Sequence, residues 1–200
     1  MSHSFLLASG NEHKAEEFSK LFDPTVISIK ASTEKLEVIE DGLTFRDNAL
    51  KKALAYRENA GQPVMADDSG LMVEALPDQL GIHTARFGGD NLTALQRNEL
   101  LLKTMEPITA LERRAAYFIC VLCFYLSESE IFFFEGRLHG HISKDISGDQ
   151  GFGYDPIFSP AHGPEGLSLA AVPDWKNEHS HRAQACQHAQ KFFKERVGHN

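Results

Sequence analysis

No stretch of the 200 residues is apolar for long enough to span a bilayer, and Met1-Ser2-His3-Ser4-Phe5 lacks the basic and apolar regions of a signal peptide. A cytoplasmic location is the expectation that follows. Cysteine is scarce and odd in number, three in all, which argues against a disulfide framework. Cys120 and Cys123 form a C-x-x-C, but inside the apolar run 115–126 and without a second pair or matching histidines. They read as two core thiols of a strand rather than a zinc or redox site. A surplus of positive charge is missing as well. Lys+Arg number 20 against 28 Asp+Glu, a net charge of −8, which disfavours nonspecific binding to nucleic acid or anionic membranes. A small anionic ligand held by a local cluster of cations and a metal stays open. The pattern G-x-x-x-x-G-K-[ST] occurs nowhere, so there is no P-loop. No repeat, low-complexity segment or linker divides the chain. Its length suits a single domain over residues 1–200, compact or in two lobes.

What is present is organised around Pro63-Val64-Met65-Ala66-Asp67-Asp68-Ser69-Gly70-Leu71. The apolar run Val64-Met65-Ala66 is too short for a helix and follows Gly61 and Pro63, which predicts a buried strand. Side chains alternate along a strand, so Asp67 and Asp68 share one place only if the strand ends there, and Gly70 favours such an ending. The expectation is a carboxylate pair at the rim of a sheet, where open α/β folds keep their ligands. Carboxylates so placed suit a hard divalent cation or a general base. An Asx-rich turn is the plainer alternative.

Upstream, Phe5-Leu6-Leu7-Ala8 predicts a first buried strand, Ser9-Gly10-Asn11-Glu12-His13-Lys14 a turn, and residues 15–22 a helix with Phe18, Leu21 and Phe22 on one face. A turn between strand and helix presents free N–H groups to an anion, with Asn11 or Ser9 as cap and Lys14 able to reach back. A capped surface helix with a solvated lysine is equally compatible. A second strand is expected over Val26–Ile29, then the acidic approach Glu34 to Asp41. Thr44 caps a helix with Asp47 in a variant capping box, followed by the stripe Phe45, Ala49, Leu50, Ala53 and Leu54. Glu40 and Asp41 either help bind a metal or favour the positive end of that helix. Thr93 to Met105 predicts a third helix, and Ala115–Leu126 with Glu130–Phe134 an antiparallel hairpin. Gly148 to Phe158 holds three glycines around Phe152, Tyr154 and Asp155 in a loop that lets backbone approach a ligand, and an aromatic there suits stacking on a nucleobase. In the tail, Lys176, His181 and Arg182 stand before or within the first turn of a helix carrying Ala185, Ala189, Phe192 and Phe193. Cations there oppose the helix dipole, so a bound anion explains them better than stability does.

These residues describe an α/β domain, and their order resembles a known family. Ser9-Gly10-Asn11-x-x-Lys14, Gly42-x-Thr44-Phe45-x-x-Asn48-Ala49, Ala66-Asp67-Asp68-Ser69-Gly70-Leu71, Gly151-Phe152-Gly153-Tyr154-Asp155-Pro156 and Ser180-His181-Arg182 are similar to the motifs of the inosine triphosphate pyrophosphatases, also called dITP/XTP pyrophosphatases. The resemblance runs from Phe5 to the C-terminal helix. It implies a long mixed β-sheet with flanking helices forming two lobes around a central cleft, usually in a homodimer. It also implies Mg²⁺-dependent hydrolysis of deaminated purine nucleoside triphosphates to monophosphate and pyrophosphate. Position by position, Ser9, Gly10, Asn11, Glu12, His13 and Lys14 would hold the phosphates, with Lys52 near the triphosphate. Asp68 would activate water and bind metal, and Ser69 would touch substrate. Phe152, Gly153, Tyr154 and Asp155 would sandwich and read the base, and Lys176, His181 and Arg182 would contact base and phosphates. Two departures stand out. Ile39 occupies the position where the family usually has a metal-binding glutamate, which leaves Glu40 as the expected substitute, and residues 166–175 lack the family pattern.

Overall fold

The computed structural model describes residues 2–197, the side chains of Glu12 and Val197 excepted. Six strands form one mixed sheet in the order β2-β1-β3-β4-β5-β6, flanked by helices, the α/β class that the sequence implies. The elements run β1 (His3–Ala8), α1 (Glu12–Leu21), β2 (Ile27–Ala31), α2 (Phe45–Ala60), β3 (Val64–Val73), α3 (Ala94–Thr104), β4 (Ala115–Ser127), β5 (Glu130–Ile142), β6 (Phe158–Pro160), α4 (Pro173–His179) and α5 (His181–Val197). β1 pairs in parallel with β2 and β3, and β5 pairs antiparallel with β6.

The helices start where the sequence places their caps. Asn11 accepts the Lys14 N–H, and Thr44 with Asp47 and Thr93 with Gln96 close reciprocal capping boxes. Ser9 adds its own hydroxyl as acceptor for the Asn11 N–H at 3.2 Å. α2 stops at Gly61, whose φ of 65° is the left-handed cap.

Three expectations are corrected. β3 does not end at the aspartates; it runs on to Val73, because Ser69 and Gly70 keep extended geometry. β5 continues past Phe134 to Ile142. The tail holds two helices rather than one, broken at Ser180, so Lys176 belongs to α4 while His181 and Arg182 open α5.

The chain divides into two compact units. The first comprises Met1–Ser69, Cys120–Gly136 and His181–Asn200. Strand alternation gives it two apolar clusters. Phe5, Leu7, Met65, Cys120, Leu122 and Phe124 pack with Phe18 of α1 and Ala189 and Phe193 of α5. Ala8, Val64, Ala66, Cys123 and Tyr125 pack with Ala49, Ala53 and Tyr56 of α2. The second unit, Gly70–Ile119 with Arg137–Ser180, has a single cluster built from Leu71, Val73, Leu101, Met105, Phe118 and Phe158, among others.

Candidate active site

Within the first unit, β1 lies between β2 and β3, so the chain leaves β1 toward one neighbour and returns on its other side. Such a reversal in a parallel sheet opens a crevice beyond the strand ends. Ala8, the last residue of β1, pairs with Ala66, so Asp67 and Asp68 of β3 lie past the end of β1, level with the Ser9–Asn11 turn. A run of charged side chains gathers there.

Because β3 continues, the two aspartates face opposite ways. Asp67 lies on the face of α1 and α5. Lys14 Nζ donates to its Oδ2 at 2.8 Å, the Ser69 hydroxyl donates to the same oxygen at 3.3 Å, and Arg182 stands 3.9 Å away. Burial alone would raise its pKa, but Lys14, Lys52 and Arg182 outweigh burial and hold Asp67 well below the usual carboxylate range. Asp68 lies on the α2 face. Asn48 Nδ2 donates to its Oδ2 at 3.1 Å, the Ser69 N–H donates to Oδ1 at 3.1 Å, and Lys52 Nζ is 3.7 Å from that oxygen. Burial pushes Asp68 up to about 6, helped by the charges of Glu40 and Asp67 and only partly offset by Lys52 and Lys14. Two neighbouring carboxyls thus have opposite protonation tendencies, the pattern that separates a structural anion from a proton acceptor.

Lys52 Nζ also donates to Glu40 Oε2 at 2.9 Å, so one ammonium gathers Glu40 and Asp68. Burial opposes its charge, but Asp67, Asp68 and Glu40 prevail and raise its pKa. Ile39 is 78% exposed and contributes nothing polar, whereas Glu40 reaches the cluster. Arg182 is fully buried. Its Nη1 pairs with Glu17 and its Nη2 donates to the Ser69 hydroxyl at 3.2 Å. Burial works against its charge, yet Glu17 and the surrounding anions raise its pKa further. His181 is buried beside it in the chain. The side chain of Glu12 lies outside the described residues, and His13 is exposed on the first turn of α1.

The second unit carries the glycine loop. Asp155 accepts the Phe152 N–H at 2.8 Å and Lys176 Nζ at 2.8 Å, a buried pair that closes the loop on α4. A Cβ on Gly151, at φ 79°, would stand 2.3 Å from Asp155 Oδ2, so only glycine permits this turn. Lys176 Nζ lies 4.9 Å from the centroid of the half-buried Phe152 ring. Tyr154 turns the other way, into the apolar core, and its hydroxyl donates to the Thr84 carbonyl at 2.9 Å. Phe152, not Tyr154, is therefore the aromatic of this loop placed to stack.

Several side chains that hold these groups escaped the sequence reading of roles: Glu17, Asn48 and Asn98. Asn98 Nδ2 donates to the Gly153 carbonyl at 3.0 Å. Both asparagines are buried within helices, where asparagine is a poor helix former, and that mismatch is the signal that would have marked them.

Carboxylates and lysines just past a parallel strand end of a mixed-sheet α/β protein are groups of the kind that suit a multiply charged anion and a hard cation. The Ham1 family model matches residues 5–192. A dITP/XTP pyrophosphatase of Listeria monocytogenes is 38% identical over 197 residues, covering 96% of this chain and 95% of its own length. That of Opitutus terrae is 40% identical over 190 residues, covering 90% and 93%. A solved HAM1 protein from Coxiella burnetii superposes with a TM-score of 0.86 at 32% identity, over 98% of this chain and 100% of that one. The chain belongs to the Ham1 family, which bears out the resemblance carried by the five motifs.

Proposed function

We propose that this chain hydrolyses deaminated purine nucleoside triphosphates, dITP, XTP and ITP, to the monophosphate and pyrophosphate, and so cleanses the nucleotide pool. The carrying observation is the divided aspartate pair: Asp67 turned to Lys14 and Arg182 and held as an anion, Asp68 turned to Asn48, Lys52 and Glu40 with its pKa raised to about 6. The names of the Listeria and Opitutus relatives support the base class.

The Ser9–Asn11 turn and the first turn of α1, Glu12 to Lys14, take the phosphates, and Lys52 shares them. Asp68 accepts the proton of a water that attacks the α-phosphorus in line, and pyrophosphate leaves. Ser69, held by Arg182, faces the substrate, and His181 stands next to it in the chain. Phe152 stacks on the base, while Lys176, anchored by Asp155, and the backbone of Gly153 and Tyr154 read its edge. Glu40 and Asp68 fit a divalent cation, for which we take Mg²⁺. Among the described residues no third carboxylate, histidine or cysteine joins these two, so an ion held there would take its remaining ligands from water and phosphate. A cation held by Glu40 and Asp68 would supply charge neutralisation and orientation of the phosphate oxygens. Homodimerisation, on the strength of the family resemblance, and the cytoplasmic location expected from the sequence complete the proposal.

Pyrophosphate release tests it, measured with Mg²⁺ across ITP, dITP, XTP, ATP, GTP and dTTP. Release is expected from the first three and far less from the others. Asp68→Asn should lower turnover about 10²–10⁴-fold with nucleotide binding largely kept. A fully active Asp68→Asn protein would overturn the assignment of the base.

A further inference from the structure

We propose that Asn48 is a positioning residue that fixes Asp68 against the acidic loop 40–42, and that its single amide thereby sets the separation of the two carboxylates, Glu40 and Asp68. The inference rests on the roles given above to those two groups. Asn48 is 1% exposed and lies in the first turns of α2. Its two polar atoms are used on different partners. Nδ2 donates to Asp68 Oδ2 at 3.1 Å, and Oδ1 accepts the Gly42 N–H at 2.8 Å. Gly42 lies two residues after Glu40. One rigid amide therefore spans from the loop that carries one carboxylate to the strand that carries the other.

The geometry excludes other occupants. A Cβ on Gly42 would stand 2.6 Å from Asn48 Oδ1 and 2.7 Å from Asp47 Cβ, so the loop reaches the amide only with glycine there. Aspartate at 48 would still accept from Gly42 but would turn a second acceptor on Asp68, and glutamine would overreach by a methylene. The helix start is fixed independently by the Thr44–Asp47 capping box, so Asn48 is not needed as a cap. With Asp68 Oδ2 held by Asn48, Oδ1 is left to the Ser69 N–H and Lys52. The lysine holds Glu40 by its charge; the asparagine holds the loop by its backbone. Glu40 is thus tied to Asp68 twice, through Lys52 and through the Gly42–Asn48 amide.

The test compares wild type with Asn48→Ala, Asn48→Asp and Gly42→Ala. The last presses on the amide from the loop side and leaves Asn48 itself in place. Binding of Mn²⁺ in the presence of the non-hydrolysable α,β-methylene analogue of ITP is measured by calorimetry. Pyrophosphate release from ITP is followed against Mg²⁺ concentration, and the melting temperature is taken throughout. The expected result is Mn²⁺ affinity weaker by about 10-fold or more in each variant, as for groups that orient metal ligands. The Mg²⁺ needed for half-maximal rate should rise in parallel, while KM for ITP at saturating Mg²⁺ changes by less than about threefold. Mn²⁺ affinity and Mg²⁺ dependence matching wild type in the folded variants overturn the inference, as does a lost rate that tracks the melting temperature alone. Should wild type release no pyrophosphate from any triphosphate, the functional reading fails, and the Mn²⁺ comparison still decides the role of Asn48.

Discussion

Asp67 and Asp68 are chemically identical, adjacent and both buried, yet the fold drives them in opposite directions. The cause is strand alternation, which hands Asp67 to Lys14 and Arg182 and turns Asp68 toward Asn48 and Lys52. The dipeptide announced a carboxylate site; it could not say which carboxyl would be the odd one, because that depends on which helix packs on which face. The consequence for stability has a definite sign. Asp68 titrates at about 6 in the folded chain against an ordinary 3.8, so between those values the folded state holds a proton that the unfolded state has released. Stability therefore falls as pH rises through that window, and above it the full cost of the buried charge is present. Asp68→Asn removes that charge. In EDTA at pH 7.5 the inactive variant should be more stable than wild type by on the order of 2 kcal/mol, read as a urea midpoint, with the gap closing toward pH 4. A gap of the same size at both pH values, or one of opposite sign, would show that Asp68 carries no such burden.

Among the elements, β5 shows most plainly what sequence patterning reveals and conceals. Its first half was legible from Ile131 to Phe134, where β-branched and aromatic residues cluster. Its second half was not, because Glu135-Gly136-Arg137 and His139-Gly140-His141 break the apolar pattern with glycine and charge. Those glycines are the reason for the strand's position rather than interruptions of it. A Cβ on Gly136 would stand 2.1 Å from the His181 carbonyl oxygen and 2.6 Å from the Ala185 nitrogen, both backbone atoms of the first turns of α5. The helix backbone thus rests directly on β5, as glycine within a strand often signals. The same contact seats the turn that carries His181 and Arg182. Gly136→Ala must push α5 away, which should cost about 1–3 kcal/mol and lower the melting temperature accordingly. Because Arg182 reaches Glu17 and Ser69 from that turn, the variant should also lose turnover beyond what its unfolded fraction explains. Unchanged kinetics at a reduced melting temperature would confine Gly136 to packing. The break between α4 and α5 was hidden for a similar reason: Lys176 and Arg182 look like one cationic run in the chain, and only the fold assigns them to different helices.

For the molecule as a whole, the C-x-x-C belongs to the core rather than to chemistry, and its three-dimensional placement makes that testable. Cys123 stands three positions after Cys120 along β4, an odd step, so they project to opposite faces, Cys120 into the cluster under α1 and α5 and Cys123 into the one under α2. No rotamer change joins them across the sheet. Cys186 shares the first of those clusters from α5. All three are free and buried, and burial pushes Cys120 and Cys123 up to about 12 and Cys186 well above the ordinary thiol value. At pH 8 a thiol titrating near 12 is ionised to about 1 part in 10⁴, and the reagent must also reach it, so both requirements for reaction fail together. A chromogenic disulfide reagent should therefore take up no equivalents from the native chain at pH 8 and three in concentrated denaturant. At intermediate denaturant the labelling rate should follow the opening of both sheet faces, since each thiol is sealed by helix-to-sheet packing and not by a loop. Rapid uptake of one equivalent under native conditions would mean that one helix lifts from the sheet by itself, and labelling of the separate cysteine-to-serine variants would then say which.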